Sequence, residues 1–529
     1  MPKVTIDNRQ VEVEAGATIL DAAQKLGISI PTMCHLRGHE PATSCMVCVV
    51  KVNGVNGLVP ACGTVISDGM HVESDSAEVH EARKAALELL LSDHVGDCVG
   101  PCRMGCPAHM DIPLMIRQIA AGELRDAIIT VKRDIALPAV LGRICPAPCE
   151  KACRRRQHDE AVSICLLKRY VADMDLQSES PYLPTYTRTR DKHVAIIGAG
   201  PAGLAAAYYL QQDGFECTIF DDHDEPGGML RYGVPEKDLP RDVLAAEIAQ
   251  VVGANHHSPL RVTFRSNTRV GIAVSMAEIR RQFDAVFIGA GELKPGDAEA
   301  LGIDASPEGI RIDSRTGATS VPGVFAGGDA VRKRRLTVRA VADGKEAAES
   351  IRQYLTGEPV TGPAKTFNSR MGRLDDGEME VFLQSASPEP RRKPSAPMEG
   401  FTAEEARAES LRCLRCDCRK PDSCLLRQYA QVYDARQARY KAERRRVVQQ
   451  TQHPDVIYEP GKCIGCGICI QIASASQEKL GLTFVGRGFD VRVAVPFGES
   501  LAEGLRIAAA QCVAACPTGA LAFKDGPRK

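Results

Sequence analysis

Apolar and polar residues alternate at the start of the chain, in VTIDNRQVEVEAG, and this period of two predicts a pair of strands. The following ATILDAAQKLGI changes to the spacing of a short helix. The longest apolar stretch, residues 194–210, lies within HVAIIGAGPAGLAAAYYL. It has 17 residues and contains Gly198, Gly200, Pro201 and Gly203, so it is too short and too broken to cross a bilayer. It predicts a buried strand, a Gly-rich turn and a helix, followed by a second strand at CTIFDD. Farther on, SASPEPRRKPSAP is rich in Pro, Ser and charge and predicts an extended linker, with Arg391, Arg392 and Lys393, like residues 332–335, in solvated loops. A charged helix is predicted over residues 425–448.

A chain of 529 residues has room for about three to five domains. Its 66 Lys and Arg nearly balance 67 Asp and Glu, which argues against a nucleic acid or an acidic membrane face as partner. The amino-terminal segment lacks the apolar core of a signal peptide, so the expected location is cytoplasmic. The 21 cysteines change the picture most: in a reducing compartment they are metal ligands rather than disulfides. Nineteen fall into groups, and only Cys217 and Cys512 stand outside them.

The first group, Cys34, Cys45, Cys48 and Cys62, has the spacing C-x10-C-x2-C-x13-C, which suits two irons sharing four sulfurs better than a zinc knuckle. This stretch resembles the 2Fe-2S domain that opens the large iron-sulfur subunit of respiratory complex I and of iron hydrogenases. The resemblance extends to His94 and Cys98, which in those relatives begin a His-ligated 4Fe-4S site. The chain then departs from it. CVGPCRMGCPAHMDIPLM, LGRICPAPCEKACRRR and VSICLLKRYVADM resemble the helical two-cluster domain of the glutamate synthase small chain and dihydropyrimidine dehydrogenase. That resemblance implies one 4Fe-4S cluster on Cys106, Cys145, Cys149 and Cys153. A second would take Cys98, Cys102 and Cys165, with His94 as candidate fourth ligand and His109 and Asp97 as lesser ones.

Between residues 185 and 355 the chemistry turns to nucleotides. Gly198 permits the tight turn, Gly200 lets backbone approach a pyrophosphate, Gly203 lets helix pack on strand, and Asp221 stands where an acid accepts a ribose hydroxyl. EPGGMLRYGVPEKDLP, FDAVFIGAGE and TSVPGVFAGGDAV resemble the glutamate synthase small chain and the wider flavin disulfide-reductase group. The resemblance implies FAD, with Gly328 and Asp329 at its ribityl or phosphate and a helix starting near Arg339 aimed at the flavin. In that family a whole nicotinamide domain enters after a motif like GAGE. Here only 27 residues separate Glu292 from Ala318, with no second strand, glycine turn and helix, so that domain is expected to be absent.

Cys413, Cys416, Cys418 and Cys424, at C-x2-C-x-C-x5-C, predict one further metal centre, with 4Fe-4S favoured over zinc. Near the end, EPGKCIGCGICIQIA and AAAQCVAACPTGALAF have the bacterial ferredoxin arrangement and resemble the module at the head of NAD-linked formate dehydrogenases. The second cluster of such modules is degraded here, with Ala473, Arg506 and Ala509 at its ligand positions. One 4Fe-4S cluster on Cys463, Cys466, Cys469 and Cys516 is expected.

The expected architecture is a multidomain α/β and α+β chain. It has a β-grasp 2Fe-2S ferredoxin domain (1–92), a helical domain with two 4Fe-4S clusters (93–184) and a Rossmann-like FAD domain lacking the nicotinamide domain (185–360). A linker (361–400), a 4Fe-4S segment with helix (401–450) and a ferredoxin-like domain (451–529) complete it. The cofactors would be FAD, one 2Fe-2S cluster and four 4Fe-4S clusters, with no residue assigned a catalytic role. The expected function is an electron-transfer subunit of a soluble multisubunit oxidoreductase, with a bifurcating role left open. Its partners would be an NADH-oxidising flavoprotein or a formate-, aldehyde- or hydrogen-oxidising subunit. The alternatives are a self-sufficient NAD(P)H reductase of the glutamate synthase small-chain kind and a non-redox zinc-binding scaffold.

Overall fold

The computed structural model describes residues 1–185, 190–252, 262–440 and 444–524. It divides the chain into two compact units. The first comprises Met1–Val99, Lys365–Gln384 and Cys416–Lys529, and the second Gly100–Ala364 and Ser385–Arg415. Along the chain, therefore, the second unit interrupts the first.

The first unit opens on the expected hairpin. Strands Lys3–Ile6 and Arg9–Glu12 pair antiparallel, and both turn residues, Asp7 and Asn8, have positive φ (46° and 64°), the geometry that matches strand twist in a two-residue hairpin. Thr18 then caps helix Ile19–Lys25 through a capping box with Asp21. The sheet orders its strands as Arg9–Glu12, Lys3–Ile6, Met70–Glu73, Val49–Val52 and Leu58–Pro60, with the second and third of these parallel. Val4, Ile6, Val50 and Val72 are buried with Ile19, Leu20, Ala22 and Ala23 of the helix, which closes a small core on one face.

The carboxy-terminal part of this unit has two short antiparallel pairs, Val456–Tyr458 with Leu521–Phe523 and Thr483–Val485 with Arg492–Ala494, and helices Ile468–Ala475 and Ala509–Ala515. The charged helix expected over 425–448 is shorter, Leu425–Val432. Asp434 takes a left-handed φ of 47° and the Ala435 amide reaches back to the Ala430 carbonyl, a C-terminal closure that ends the helix. Residues 441–443 of that expected helix lie outside the described residues.

The second unit joins a helical part to a parallel sheet. Helices Pro138–Ile144 and Ile164–Leu176 approach so closely that a Cβ at Gly142 would lie 2.7 Å from the Arg169 Cα. The sheet has five parallel strands in the order Val324–Ala326, Ala285–Ile288, His193–Ile197, Glu216–Phe220 and Val262–Arg265. In chain order this is the doubly wound arrangement, in which the direction of winding reverses beside His193–Ile197. Alternate residues of that strand, Val194 and Ile196 against Ala195 and Ile197, enter separate cores on the two faces. Helices Pro201–Gln212 and Thr337–Thr356 lie against each other at Gly344, where a Cβ would come within 2.2 Å of the Ala202 carbonyl oxygen.

Two expectations change in this unit. Residues 385–397 follow the expected irregular path, with Arg392 and Lys393 exposed as expected, but Arg391 is held rather than solvated. The Arg391 guanidinium donates to the Ser163 hydroxyl at 2.8 Å and the Glu150 carboxylate at 2.6 Å, and the Arg392 amide donates to Glu409 at 2.7 Å. The helix expected near Arg339 begins two residues earlier, at Thr337. Residues 186–189, at the start of the expected FAD domain, lie outside the described residues.

Candidate iron-sulfur and nucleotide sites

Cys34, Cys45 and Cys48 lie in the loop that precedes strand Val49–Val52, and Cys62 lies just past strand Leu58–Pro60. All four are at most 5% exposed. The Cys48 and Cys62 sulfurs are 3.4 Å apart. Hydrogen bonds from Cys45 and Cys62 hold the Cys34 thiol down at about 2, and Cys62 holds Cys48 at about 7. The same contacts push Cys45 and Cys62 above the ordinary thiol value. Four sulfurs converging in a dry loop fit a 2Fe-2S cluster.

In the carboxy-terminal module Cys463, Cys466, Cys469 and Cys516 line one cavity with Tyr458, Val493, Pro517 and Thr518. Positive φ at Gly465 (64°) and Gly467 (73°) winds the C-x2-C-x2-C loop around it, and helix Ile468–Ala475 carries the third cysteine. The Gly465 amide points at the Cys463 sulfur at 3.4 Å. This donor set fits a 4Fe-4S cluster. Cys512 stays outside it, fully buried, with its thiol directed at the Cys469 carbonyl at 3.6 Å. Cys217 is likewise buried within the parallel sheet.

The remaining cysteines group differently from the sequence expectation. In the second unit, Lys168 is buried, and burial works against its charge, but Cys165, Cys145, Cys149 and Cys106 around it hold its pKa above the ordinary lysine value. The Cys165 sulfur reaches the Leu141 carbonyl at 3.4 Å, and its hydrogen bond holds Cys145 down at about 7. Thus Cys165, rather than Cys153, stands with Cys106, Cys145 and Cys149. The reason is helical: Cys165 and Lys168, three residues apart on Ile164–Leu176, share the face turned to Pro138–Ile144.

Cys153 is drawn the other way. The short helix Pro148–Lys151 lies beside Pro101–Gly105, where a Cβ at Gly105 would come within 2.5 Å of the Ala152 Cβ. The turn after Cys153, Arg154–Gln157, carries the fully buried Arg155, whose Nη1 donates to the Arg412 carbonyl beside Cys413. Cys102 lies in the same core, with Cys153 and Cys413 packed against it.

In the first unit, Asp97 and Asp417 form a parallel bridge, which sets Cys98 beside Cys418. Burial, then Cys418 and Cys98, push the Cys424 thiol up to about 12. The Ser369 amide donates to the Cys98 sulfur at 3.4 Å. Half-buried His94 lies four residues before Cys98. Loss of solvent around its ring, and Lys462, push its pKa down to about 4, so the imidazole is neutral with a lone pair to donate. Asp97 accepts from the Met371 amide at 2.8 Å. His109 is in the second unit, with a left-handed φ of 53°.

The nucleotide turn follows strand His193–Ile197. Gly198 has φ of 101°, and a Cβ there would lie 2.5 Å from the Gly289 carbonyl oxygen, so two strand ends meet where the winding reverses. A Cβ at Gly203 would lie 1.9 Å from the Gly198 carbonyl oxygen, whereas Gly200 has nothing within 4 Å. Gly200 begins the 12-residue helix Pro201–Gln212 with no side-chain cap, which leaves its amides free for an anion. The Asp221 carboxylate accepts from the Ala199 amide at 2.6 Å and from the His223 ring at 2.8 Å. This cradle fits the pyrophosphate of a dinucleotide.

Gly328 has φ of 70°, and its amide donates to Asp343 at 3.0 Å. Asp329 accepts from the Arg334 and Arg335 amides at 3.0 and 3.1 Å, closing its own loop. Sequence reasoning missed Asp343, Lys168, Ser369 and the Arg155–Arg412 contact. Of these only Lys168, one helical turn from Cys165, left a signal in the sequence.

Residues 2–77 match the family model described as a 2Fe-2S iron-sulfur cluster binding domain. Residues 77–180 match dihydropyrimidine dehydrogenase domain II, 4Fe-4S cluster, and residues 196–255 match an NAD(P)-binding Rossmann-like domain. The chain is 42% identical over 212 residues to the NADP(+)-dependent formate dehydrogenase subunit beta of Moorella thermoacetica, which covers 36% of this chain and 29% of the relative. It is 33% identical over 258 residues to the NADPH-Fe(3+) oxidoreductase subunit beta of Geobacter sulfurreducens, covering 48% and 37%. It is 35% identical over 215 residues to the NAD-dependent dihydropyrimidine dehydrogenase subunit PreT of Salmonella typhimurium, covering 40% and 50%. The chain thus spans half or less of the length of these relatives. It combines a 2Fe-2S domain, a 4Fe-4S domain and a dinucleotide-type Rossmann domain, and it is similar to chains named as subunits of oxidoreductases.

Proposed function

We propose that the chain is an electron-transfer subunit of a multisubunit cytoplasmic oxidoreductase, holding FAD, one 2Fe-2S cluster and four 4Fe-4S clusters. The observation that carries the reading is one chain in which two sets of four cysteine sulfurs converge and a Gly-rich turn meets a second strand end at the reversal of a parallel sheet. When bound, the clusters pass single electrons and the flavin couples them to a two-electron reaction.

Cys34, Cys45, Cys48 and Cys62, in a β-grasp domain, would hold the 2Fe-2S cluster. Cys463, Cys466, Cys469 and Cys516 would hold one 4Fe-4S cluster, and Cys106, Cys145, Cys149 and Cys165 another. The buried Lys168 ammonium offsets negative charge at the latter set. Cys102, Cys153 and Cys413, which meet in the core of the second unit, are left for a third. Gly198, Gly200 and Gly203 would let FAD phosphate approach the helix start, Asp221 would take the ribose, and Gly328 and Asp329 would shape the second contact.

A self-sufficient NAD(P)H reductase is the weaker reading. Among the described residues, 292–318 hold only the five-residue helix Asp297–Leu301 and a hairpin of Ala305–Ser306 with Gly309–Ile310. The relatives' names point to an NADP-, formate- or pyrimidine-linked partner subunit. Anaerobic purification of the full chain, with metal analysis, visible spectrum and mass spectrometry of copurifying subunits, tests the reading. A brown, flavin-containing protein with a dehydrogenase partner supports it, and a colourless zinc protein overturns it.

A further inference from the structure

We propose that Cys98, Cys418 and Cys424 hold one 4Fe-4S cluster, with the His94 imidazole as its fourth ligand. The site is closed by two stretches of chain separated by the whole second unit. This rests on the cluster-binding reading above and assigns ligands that sequence spacing puts elsewhere.

Four observations within the first unit converge. The Asp97–Asp417 bridge aligns the backbone before Cys98 with that before Cys418. The loop from Cys418 to Cys424 is fastened at both ends: Lys420 donates to the carbonyls of Val513 and Cys516 at 2.7 and 2.9 Å, and the Leu425 amide donates to the Pro517 carbonyl at 2.8 Å. The Cys418 sulfur sits so close to the backbone that a Cβ at Gly519 would lie 2.4 Å from it. On the other side the Ser369 amide donates to the Cys98 sulfur, and the Ser369 hydroxyl donates to the Gly96 carbonyl at 2.5 Å. Three buried thiols are thereby oriented together, at 6 to 7% exposure.

Three thiols leave one iron of a cubane without a protein ligand. Around Cys98, Asp97 is engaged with Met371, and Lys462 is a cation paired to Glu459 at 2.6 Å, with no lone pair to give. His94 lies four residues before Cys98 on the same irregular stretch, after helix Ala77–Ser92 has ended. Its amide is tied to Leu91, and among the described residues its ring makes no hydrogen bond. The Lys462 stem packs over Gly96, which lies between His94 and Cys98 in the chain, where a Cβ would meet it at 2.7 Å.

The test uses the full chain, reduced anaerobically and examined by electron paramagnetic resonance with iron analysis. Cys98→Ala, Cys418→Ala and Cys424→Ala should each abolish the same resonance and about four irons, while Cys102→Ala spares that resonance. Retained flavin shows in each case that the second unit is folded, and the surviving 2Fe-2S signal shows the same for the first. For the imidazole, electron spin echo modulation should detect nitrogen coupling that changes on 15N-histidine labelling. His94→Cys should keep the irons and remove that coupling. Loss of different resonances in Cys98→Ala and Cys418→Ala overturns the shared site, and nitrogen coupling that survives His94→Cys overturns the imidazole. Absence of every cluster signal in the unsubstituted chain would instead defeat the cluster-binding reading itself.

Discussion

The Arg155 Nη1 donates to the carbonyl oxygen of Arg412 at 2.6 Å, although 257 positions separate the two in sequence, and neither side chain is exposed. Two buried cations so close are tolerable because Asp159 accepts from both, Glu409 pairs with Arg412 at 2.9 Å, and the carbonyls of Ser387, Glu389, Glu160 and Ala161 accept four more of their protons. The cluster stitches the turn after Cys153 to the turn before Cys413. Arg412→Met should cost about 3 to 5 kcal/mol, since it leaves the buried Glu409 carboxylate without its counter-ion, held only by the Ser163 and Arg392 amides. Urea unfolding checks this, and the iron held near Cys153 should be lost first.

Two glycines of the nucleotide turn should fail in different ways. Gly203→Val has no room beside the Gly198 carbonyl and should destabilise the second unit by about 3 kcal/mol. The Cβ of Gly200→Ala meets nothing within 4 Å, so this variant should leave stability within about 0.5 kcal/mol, yet lower bound flavin by about tenfold, because the added methyl fills space a phosphate needs. Thermal unfolding beside extracted flavin separates the two.

Full cluster occupancy gives about 18 irons per chain. A preparation with full flavin but reproducibly about 14 would mean that one 4Fe-4S cluster is missing, and the variants above would identify it.

The chain alone should bind flavin without oxidising NADH or NADPH. Hydride transfer needs the two rings in contact. The short helix and hairpin between residues 292 and 318 offer no second phosphate-binding turn. Stopped-flow mixing with excess NADH or NADPH checks this, since rapid flavin bleaching in the absence of partners would contradict it.

Glu247 predicts a pH dependence. Its carboxylate accepts from the Ala139 and Val140 amides at 2.7 Å each, but burial raises its pKa from 4.5 to about 7 against those bonds. The folded chain therefore binds this proton more tightly than the unfolded one. The contribution is greatest below pH 4.5 and is lost as pH rises through 7. Glu247→Gln should flatten the fall in stability between pH 5 and pH 8 by about 3 kcal/mol.

The sequence made some of this legible because some contacts are local. The Asp7–Asn8 hairpin, the capped helix after Thr18, the strand and turn at Gly198, the cysteines of the first group and the C-x2-C-x2-C run of the last lie within local stretches, and only Cys516 joins from farther along the chain. Spacing misled where ligands come from distant stretches. Cys413 to Cys424 look like one motif of 12 residues, but Cys413 belongs to the second unit and Cys418 stands beside Cys98. The charge of SASPEPRRKPSAP suggested solvation, whereas Arg391 finds Glu150, a partner 241 positions away that no local pattern shows.

The interruption of the first unit by the second bears on how the chain is made. A ribosome adds roughly 5 to 20 residues per second, so Cys98 emerges many seconds before Cys418 and Cys424. During that interval the cluster site proposed for Cys98 lacks its two other thiols, while the four cysteines from Cys34 to Cys62 are already complete. On that proposal the Cys98 cluster can be assembled only after Cys418 and Cys424 have been synthesised, which puts it later than the cluster of Cys34 to Cys62.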